Sequence, residues 1–114
     1  MLQQLSKEPA TLPNPCPLCD LPDSSLIWQN NELAVIDALE ADYPGFCRVI
    51  WLQHKTEMSQ LKPDQRQRLM AAVFAVEQVL IDKVQPDKIN LASLGNQVAH
   101  MHWHVIPRFK TDRH

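Results

Sequence analysis

The stretch VAHMHWHVIP, residues 98–107, alternates histidines with apolar residues and predicts a β-strand. Because successive side chains of a strand point to opposite faces, we expect His100, His102 and His104 to lie on one face. The apolar residues between them would pack into the core. Three imidazoles in register would repel one another if protonated, so a metal, a phosphate or a fixed chain of hydrogen bonds is expected to orient them. We therefore interpret the three histidines as a functional site.

The rest of the chain contains further strand patterns and one helix pattern. Pro63 is predicted to open a helix, because the first helical position does not need a backbone N–H, and Pro86 is predicted to end it. The helix carries one apolar stripe, formed by Leu69, Val73, Val76 and Leu80. Runs that favour strands cover residues 26–29, 33–38, 46–52 and 89–93. This order predicts an α+β domain with a five-stranded antiparallel sheet and one main helix.

Length and charge restrict the function classes. The 114 residues favour one domain, predicted over 16–114, after a loosely ordered segment, 1–15, that contains three prolines. The net charge is −2 and no long basic run is present, so binding to bulk nucleic acid is not expected. No apolar run approaches 20 residues and the N-terminus lacks the order of a signal peptide. We therefore expect no membrane span and a cytoplasmic location.

Two of the three cysteines are closely spaced, as Cys16-Pro17-Leu18-Cys19. In a cytosolic chain such a pair is more often a metal or redox site than a structural disulfide. A redox pair usually has its first cysteine at a helix N-terminus, whereas residues 21–23 favour a turn. Zinc, an empty or partly occupied site and a redox pair all stay open. Cys47 lies in an apolar run and is predicted to be a buried small side chain.

The histidine stretch resembles the signature of the histidine triad (HIT) family, in which histidines alternate with hydrophobic residues. Its flanks are also similar to the family pattern: Pro107-Arg108 follows, Gly95-Asn96-Gln97-Val98 precedes, and Val49-Ile50 is followed by His54. The resemblance covers residues 16–109 approximately. It implies a HIT-like fold and the pairing of two sheets, edge to edge, into a homodimer.

The resemblance also implies a mechanism. His102 would be the nucleophile that attacks the α-phosphorus of a nucleotide, and water would then release a nucleoside monophosphate from the nucleotidyl-histidine. His104 would contact phosphate oxygens or the leaving group, and Asp37 falls where many members have a ribose-contacting aspartate. Asn96 and Gln97 could hold the phosphate. The implied enzyme is a diadenosine polyphosphate hydrolase or phosphoramidase; other adenylylated substrates are also plausible.

A zinc site follows from the same resemblance. Bacterial members of the family take two N-terminal cysteines, a histidine after a core strand and the first triad histidine as ligands. The matching positions here are Cys16, Cys19, His54 and His100. A closed site with four such ligands is structural, not catalytic.

The chain departs from the family pattern before the triad, where the loop is shorter. The usual phosphate-contacting Asn or Gln has no unambiguous equivalent, and Asn90 and Ser93 are both candidates. This departure favours an alternative, a zinc-containing nucleotide-binding regulatory module with little turnover. A third reading is a metal-binding protein that uses the triad as ligands.

Overall fold

Five antiparallel strands form one sheet in the order β1-β2-β3-β5-β4. The computed structural model of the protein describes residues 16–19, 21, 23–96 and 98–112. The strands are β1 (Leu26–Gln29), β2 (Leu33–Asp37), β3 (Cys47–Trp51), β4 (Lys88–Ala92) and β5 (His102–Arg108), and the helix α1 is Pro63–Val84. The predicted α+β class, with five strands and one main helix, is confirmed. The predicted loose segment, 1–15, lies outside the described residues.

Helix α1 covers one face of the sheet and forms the main core with it. It begins at Pro63 as predicted, with Asp64 in its first turn. Of the predicted stripe, Leu69, Val73 and Leu80 are buried, and Val76 packs against the same cluster. The sheet contributes Val35, Cys47, Val49, Trp51 and Val105. Within the part of the chain that is described, no helix is long and apolar enough to cross a membrane.

The opposite face of the sheet carries a smaller apolar cluster. Leu18, from the turn that contains both N-terminal cysteines, is buried against Ile36 of β2 and Ile50 of β3. This face also carries His102, because the register of β3 and β5 places it opposite Ile50. The N-terminal turn therefore covers the sheet immediately beside the histidine strand.

The last strand begins later than the sequence predicts. Residues 98–107 favour one strand, but β5 starts at His102. Before it the chain bends, and the His100 backbone N–H donates to the Val98 carbonyl at 2.9 Å. The alternation rule consequently applies to His102 and His104 and not to His100. The apolar side of the prediction holds, since Met101, Trp103 and Val105 join the main core.

Candidate functional site

His102 and His104 lie side by side on the sheet face opposite α1. Their ring centroids are 4.9 Å apart and the ring planes make an angle of 31°. Both border an open cavity of about 370 Å³. The other lining residues come from the Cys16–Cys19 turn, from β3 and from the loop after β4: Pro17, Leu18, Arg48, Leu94, Gly95, Asn96 and Val98.

The His102 imidazole is held in one tautomer by the backbone. Its Nδ1 lies 2.6 Å from the carbonyl oxygen of His100. A carbonyl can only accept, so Nδ1 carries the proton and donates it. The lone pair is then on Nε2, the nitrogen that is free to attack an electrophile. The bend before β5 creates this contact, because it turns the His100 carbonyl toward the ring two residues later.

The His104 imidazole is neutral near physiological pH. Burial lowers its pKa to about 4, and the charges of His102 and Arg48 act in the same direction. Its ring packs on Phe46, with centroids 5.2 Å apart. Its Nε2 is buried and has no hydrogen-bond partner among the described residues. A neutral imidazole with an unpaired ring nitrogen retains the capacity to take up or donate a proton.

Four metal-binding side chains converge where the Cys16–Cys19 turn meets the start of β5. Nδ1 of His100 lies 3.3 Å from Cys16 Sγ, 3.4 Å from Cys19 Sγ and 3.1 Å from His54 Nδ1. All four donor atoms lie within 4.8 Å of one another. Donors at bonding distance around one tetrahedral ion are separated by about 3.4–3.8 Å. The four predicted ligands therefore lie close enough to bind one metal ion.

The second nitrogen of His100 orients its ring for this role. Nε2 lies 2.6 Å from the Trp51 carbonyl oxygen and so donates a proton to it, which leaves the lone pair on Nδ1. Burial lowers the pKa of His100, so the neutral, metal-binding form is favoured. Burial also raises the pKa of Cys19, as do the hydrogen bond and charge of Cys16. A raised thiol pKa is the opposite of what a redox cysteine needs, whereas a metal cation would favour the thiolate.

The predicted nucleotide-binding residues occupy different places. Asn96 lines the cavity with His102, and Gln97 lies outside the described residues. Asp37, at the end of β2, is not among the residues that line the cavity. Its Oδ1 accepts a hydrogen bond of 2.7 Å from the Leu39 backbone N–H. Burial and, less strongly, the charge of Asp37 raise the pKa of Cys47 to about 11. Cys47 is buried in the main core, in agreement with the prediction of a buried small side chain.

Neither Asn90 nor Ser93, the two candidates for the missing phosphate contact, is among the described residues that line the cavity. The Asn90 Oδ1 accepts a hydrogen bond from Arg108 Nη1 at 2.9 Å. The Ser93 hydroxyl donates to the His102 carbonyl at 2.9 Å. The β4 residue directly opposite His104 is Ala92, which has no polar group.

Sequence reasoning missed Arg48. This residue of β3 lies opposite His104, on the side of β5 away from Ala92 and β4. It lines the cavity together with both histidines. The available signal was its position as the one charge in the apolar run 46–52. Only the strand register shows which histidine it faces.

Comparison with known proteins agrees with this geometry. The HIT domain profile matches residues 22–111. A histidine triad protein from Bradyrhizobium japonicum is 26% identical, with a TM-score of 0.74 over 83% of this chain and 75% of that chain. A member of the HIT family from Bacillus subtilis is 19% identical, with a TM-score of 0.75 over 86% of this chain and 76% of that chain. No curated protein gave a significant sequence match. Because the profile spans most of the sequence and includes both cavity histidines, the chain belongs to the HIT domain family.

Proposed function

We propose that the protein is a nucleotide phosphohydrolase or transferase that acts at an α-phosphate through a covalent intermediate on His102. Membership of the HIT family supports a nucleotide-binding protein of the hydrolase or transferase kind. The observation that supports His102 as the nucleophile is the 2.6 Å contact between its Nδ1 and the His100 carbonyl. In the neutral imidazole it places the lone pair on Nε2, beside a cavity large enough for part of a nucleotide.

In the proposed reaction Nε2 of His102 attacks the α-phosphorus, and the bond from phosphorus to the leaving group breaks. The leaving group departs with the bonding electron pair and takes a proton where its basicity requires one. Water then attacks the phosphorus, the phosphorus–nitrogen bond breaks, and a nucleoside monophosphate is released with free His102. His104 contacts the phosphate or the leaving group in this scheme, and Asn96 and Gln97 provide amide donors. Asp37, at the end of β2, is retained as a proposed ribose contact, although it does not line the cavity.

The proposed substrates are dinucleoside polyphosphates, nucleoside phosphoramidates and other adenylylated compounds. All three place a leaving group on a nucleotide α-phosphorus, so they share the same first step. A cytoplasmic location stays part of the proposal. So does a single domain over residues 16–114, which the one sheet that includes every described strand supports.

We propose zinc as the ion bound by Cys16, Cys19, His54 and His100. A set of two thiolates and two imidazoles binds zinc in preference to hard cations such as magnesium or calcium. Four protein ligands leave no open position for substrate, so the metal would be structural. It would connect the N-terminal turn, the segment after β3 and the bend before β5.

A homodimer is the proposed assembly. The sheet ends at β4, which pairs with β5 alone among the described strands. Glu77 of α1 lies beside that edge, and Phe74 and Ile81, on the same side of the helix, are 53% and 43% exposed. An unpaired edge next to an exposed apolar helix side is the kind of surface that a second copy could cover.

The direct test compares the wild-type protein with His102→Ala. Each is incubated with a diadenosine polyphosphate and with an adenosine phosphoramidate, and AMP is quantified. We expect the substitution to reduce the rate of AMP release by at least about 1,000-fold, because it removes the nucleophile. A nucleotidyl adduct trapped on the wild-type protein by denaturation at alkaline pH, where the phosphorus–nitrogen bond is stable, should map to His102.

Equal AMP release by both proteins would eliminate His102 as the nucleophile. Tight AMP binding by the wild-type protein without turnover of either substrate would instead support the regulatory module. The regulatory module is favoured by one observation: the residue opposite His104 in β4 is Ala92, which has no polar group. His102→Ala is a suitable comparison because the backbone contacts that hold the bend do not involve the His102 side chain, apart from its own bond to His100.

A further inference from the structure

A guanidinium lies beside the two cavity histidines, on the central strand of the sheet. Arg48 is directly opposite His104 in the β3–β5 register, so the two side chains share a face. Its Cζ lies 5.5 Å from the centroid of the Phe46 ring, which also packs on His104. The aromatic ring thus supports the guanidinium within the wall of the cavity.

The charge of Arg48 is not neutralised by the described part of the protein. The described ion pairs involve Arg68 and Arg108, and none involves Arg48. The Arg48 Nε is buried and has no hydrogen-bond partner among the described residues. Buried donors are nearly always paired in folded proteins, so the guanidinium of this cavity-lining residue still has unused hydrogen-bonding capacity.

The opposite side of His104 offers no competing donor. Ala92 is the facing residue of β4, and neither Asn90 nor Ser93 is among the described residues that line the cavity. Across the sheet, the methyl group of Ala92 in β4 is therefore followed by the imidazole of His104 in β5 and the guanidinium of Arg48 in β3. Of the described sheet residues that line the cavity, Arg48 alone carries a permanent charge.

We propose that Arg48 binds the nucleotide phosphate, donating from its guanidinium to the non-bridging oxygens of the phosphate that His102 attacks. The inference rests on the proposed function and adds the residue that supplies its phosphate affinity. A planar guanidinium can bind two phosphate oxygens at once, which a single amide does not match. The cavity therefore selects nucleotides over nucleosides through charge on β3.

The test measures binding rather than turnover. Isothermal titration calorimetry with AMP and with adenosine is performed on the wild-type protein and on Arg48→Gln, Arg48→Lys and Lys83→Gln. Lys83 is an exposed residue near the end of α1, on the other side of the sheet, and its substitution removes the same charge. We expect Arg48→Gln to weaken AMP binding about 10- to 100-fold, the range for a hydrogen bond to a charged group. Adenosine binding should change less than about twofold in every variant, and Lys83→Gln should bind AMP as the wild type does.

The salt dependence provides a second readout. Removal of a phosphate-binding cation should flatten the dependence of AMP affinity on ionic strength in Arg48→Gln. Arg48→Lys keeps the charge but not the planar fork, so an intermediate loss is expected. This variant also tests the proposal if Arg48→Gln fails to fold.

Several outcomes would overturn the inference. They are an unchanged AMP affinity in Arg48→Gln, an equal loss of AMP and adenosine affinity, and a wild-type protein that binds no AMP. The failure of the proposed reaction is distinguishable from these. A wild-type protein that binds AMP through Arg48 but releases none from diadenosine polyphosphate would refute the reaction and leave the phosphate contact intact.

Discussion

At the scale of single residues, the two cavity histidines differ because of their immediate neighbours. His102 has a protonated Nδ1, since a carbonyl of the bend accepts from it. Nε2 of His104 has no hydrogen-bond partner among the described residues, and the ring packs on Phe46 and lies opposite Arg48. In the proposed reaction, these surroundings suit His102 to attack the phosphorus and His104 to contact the substrate as a neutral imidazole.

The low pKa of His104 predicts a pH dependence of stability. Its pKa is about 4 in the folded chain and about 6.5 when unfolded, so between these values the unfolded chain binds more protons. The free energy of unfolding should therefore fall as the pH is lowered through this window. We expect the wild type to lose about 1 kcal/mol more than His104→Gln between about pH 7 and pH 5, allowing for partial exposure.

The measurement is urea unfolding of both proteins at several pH values. Protonation of the metal ligands affects wild type and variant alike, so the difference between the two curves isolates His104. Parallel curves would contradict the prediction and would mean that the His104 imidazole titrates normally in the folded chain.

At the scale of elements, α1 and β4 together present the surface proposed for the dimer. The helix packs on β3 and β5 and leaves apolar side chains exposed on both flanks. Helical spacing from Glu77, which lies beside β4, puts Phe74 and Ile81 on the β4 side. Val79 instead lines a groove with Ile27 and Trp28, near the other edge of the sheet. The two flanks can be tested separately with equivalent substitutions.

Phe74→Glu is expected to convert a dimer to a monomer. A buried, unpaired carboxylate at the interface costs several kcal/mol, which is sufficient to dissociate a modest dimer at micromolar concentration. Sedimentation equilibrium should then change from twice 13.1 kDa to 13.1 kDa. Val79→Glu is the matched control and should leave the mass at the dimer value. If Val79→Glu alone produced the monomer, the interface would lie at the groove and not beside β4.

At the scale of the whole molecule, the cysteine–histidine cluster connects distant parts of the chain. Cys16 and His100 are 84 residues apart in sequence and their donor atoms are 3.3 Å apart. The same turn places Leu18 on the apolar cluster of the sheet and Pro17 in the cavity wall. An ion bound here would therefore stabilise the fold and one wall of the nucleotide cavity together.

Removal of zinc should accordingly destabilise the protein. At free zinc about 1,000 times its Kd, binding contributes about 4 kcal/mol, so extraction by a chelator should lower Tm by more than about 10 °C. Elemental analysis should find one zinc per chain in the wild type and in Cys47→Ala, and little in Cys19→Ala. Protein purified without chelator that contains no zinc, yet folds and acts on nucleotides normally, would reject the site.

Much of this protein was predictable from local sequence. Helix α1, the strand patterns and the apolar stripe follow from periodicities of 3.6 and 2, which act over a few residues. The four candidate metal ligands and the alternate positions of His102 and His104 were also identifiable from the sequence, through spacing and the family resemblance.

Only the tertiary structure decided which side chains His100 and Arg48 contact. The sequence pattern places His100 with the other two histidines, whereas the bend before β5 directs its ring to the cysteines and its carbonyl to His102. Likewise, an arginine in an apolar strand is only an irregularity until β3–β5 pairing sets it opposite His104. The contacts of the His100 ring with the cysteines and the pairing of Arg48 with His104 join residues more than 50 positions apart, and such contacts form only when the whole sheet assembles.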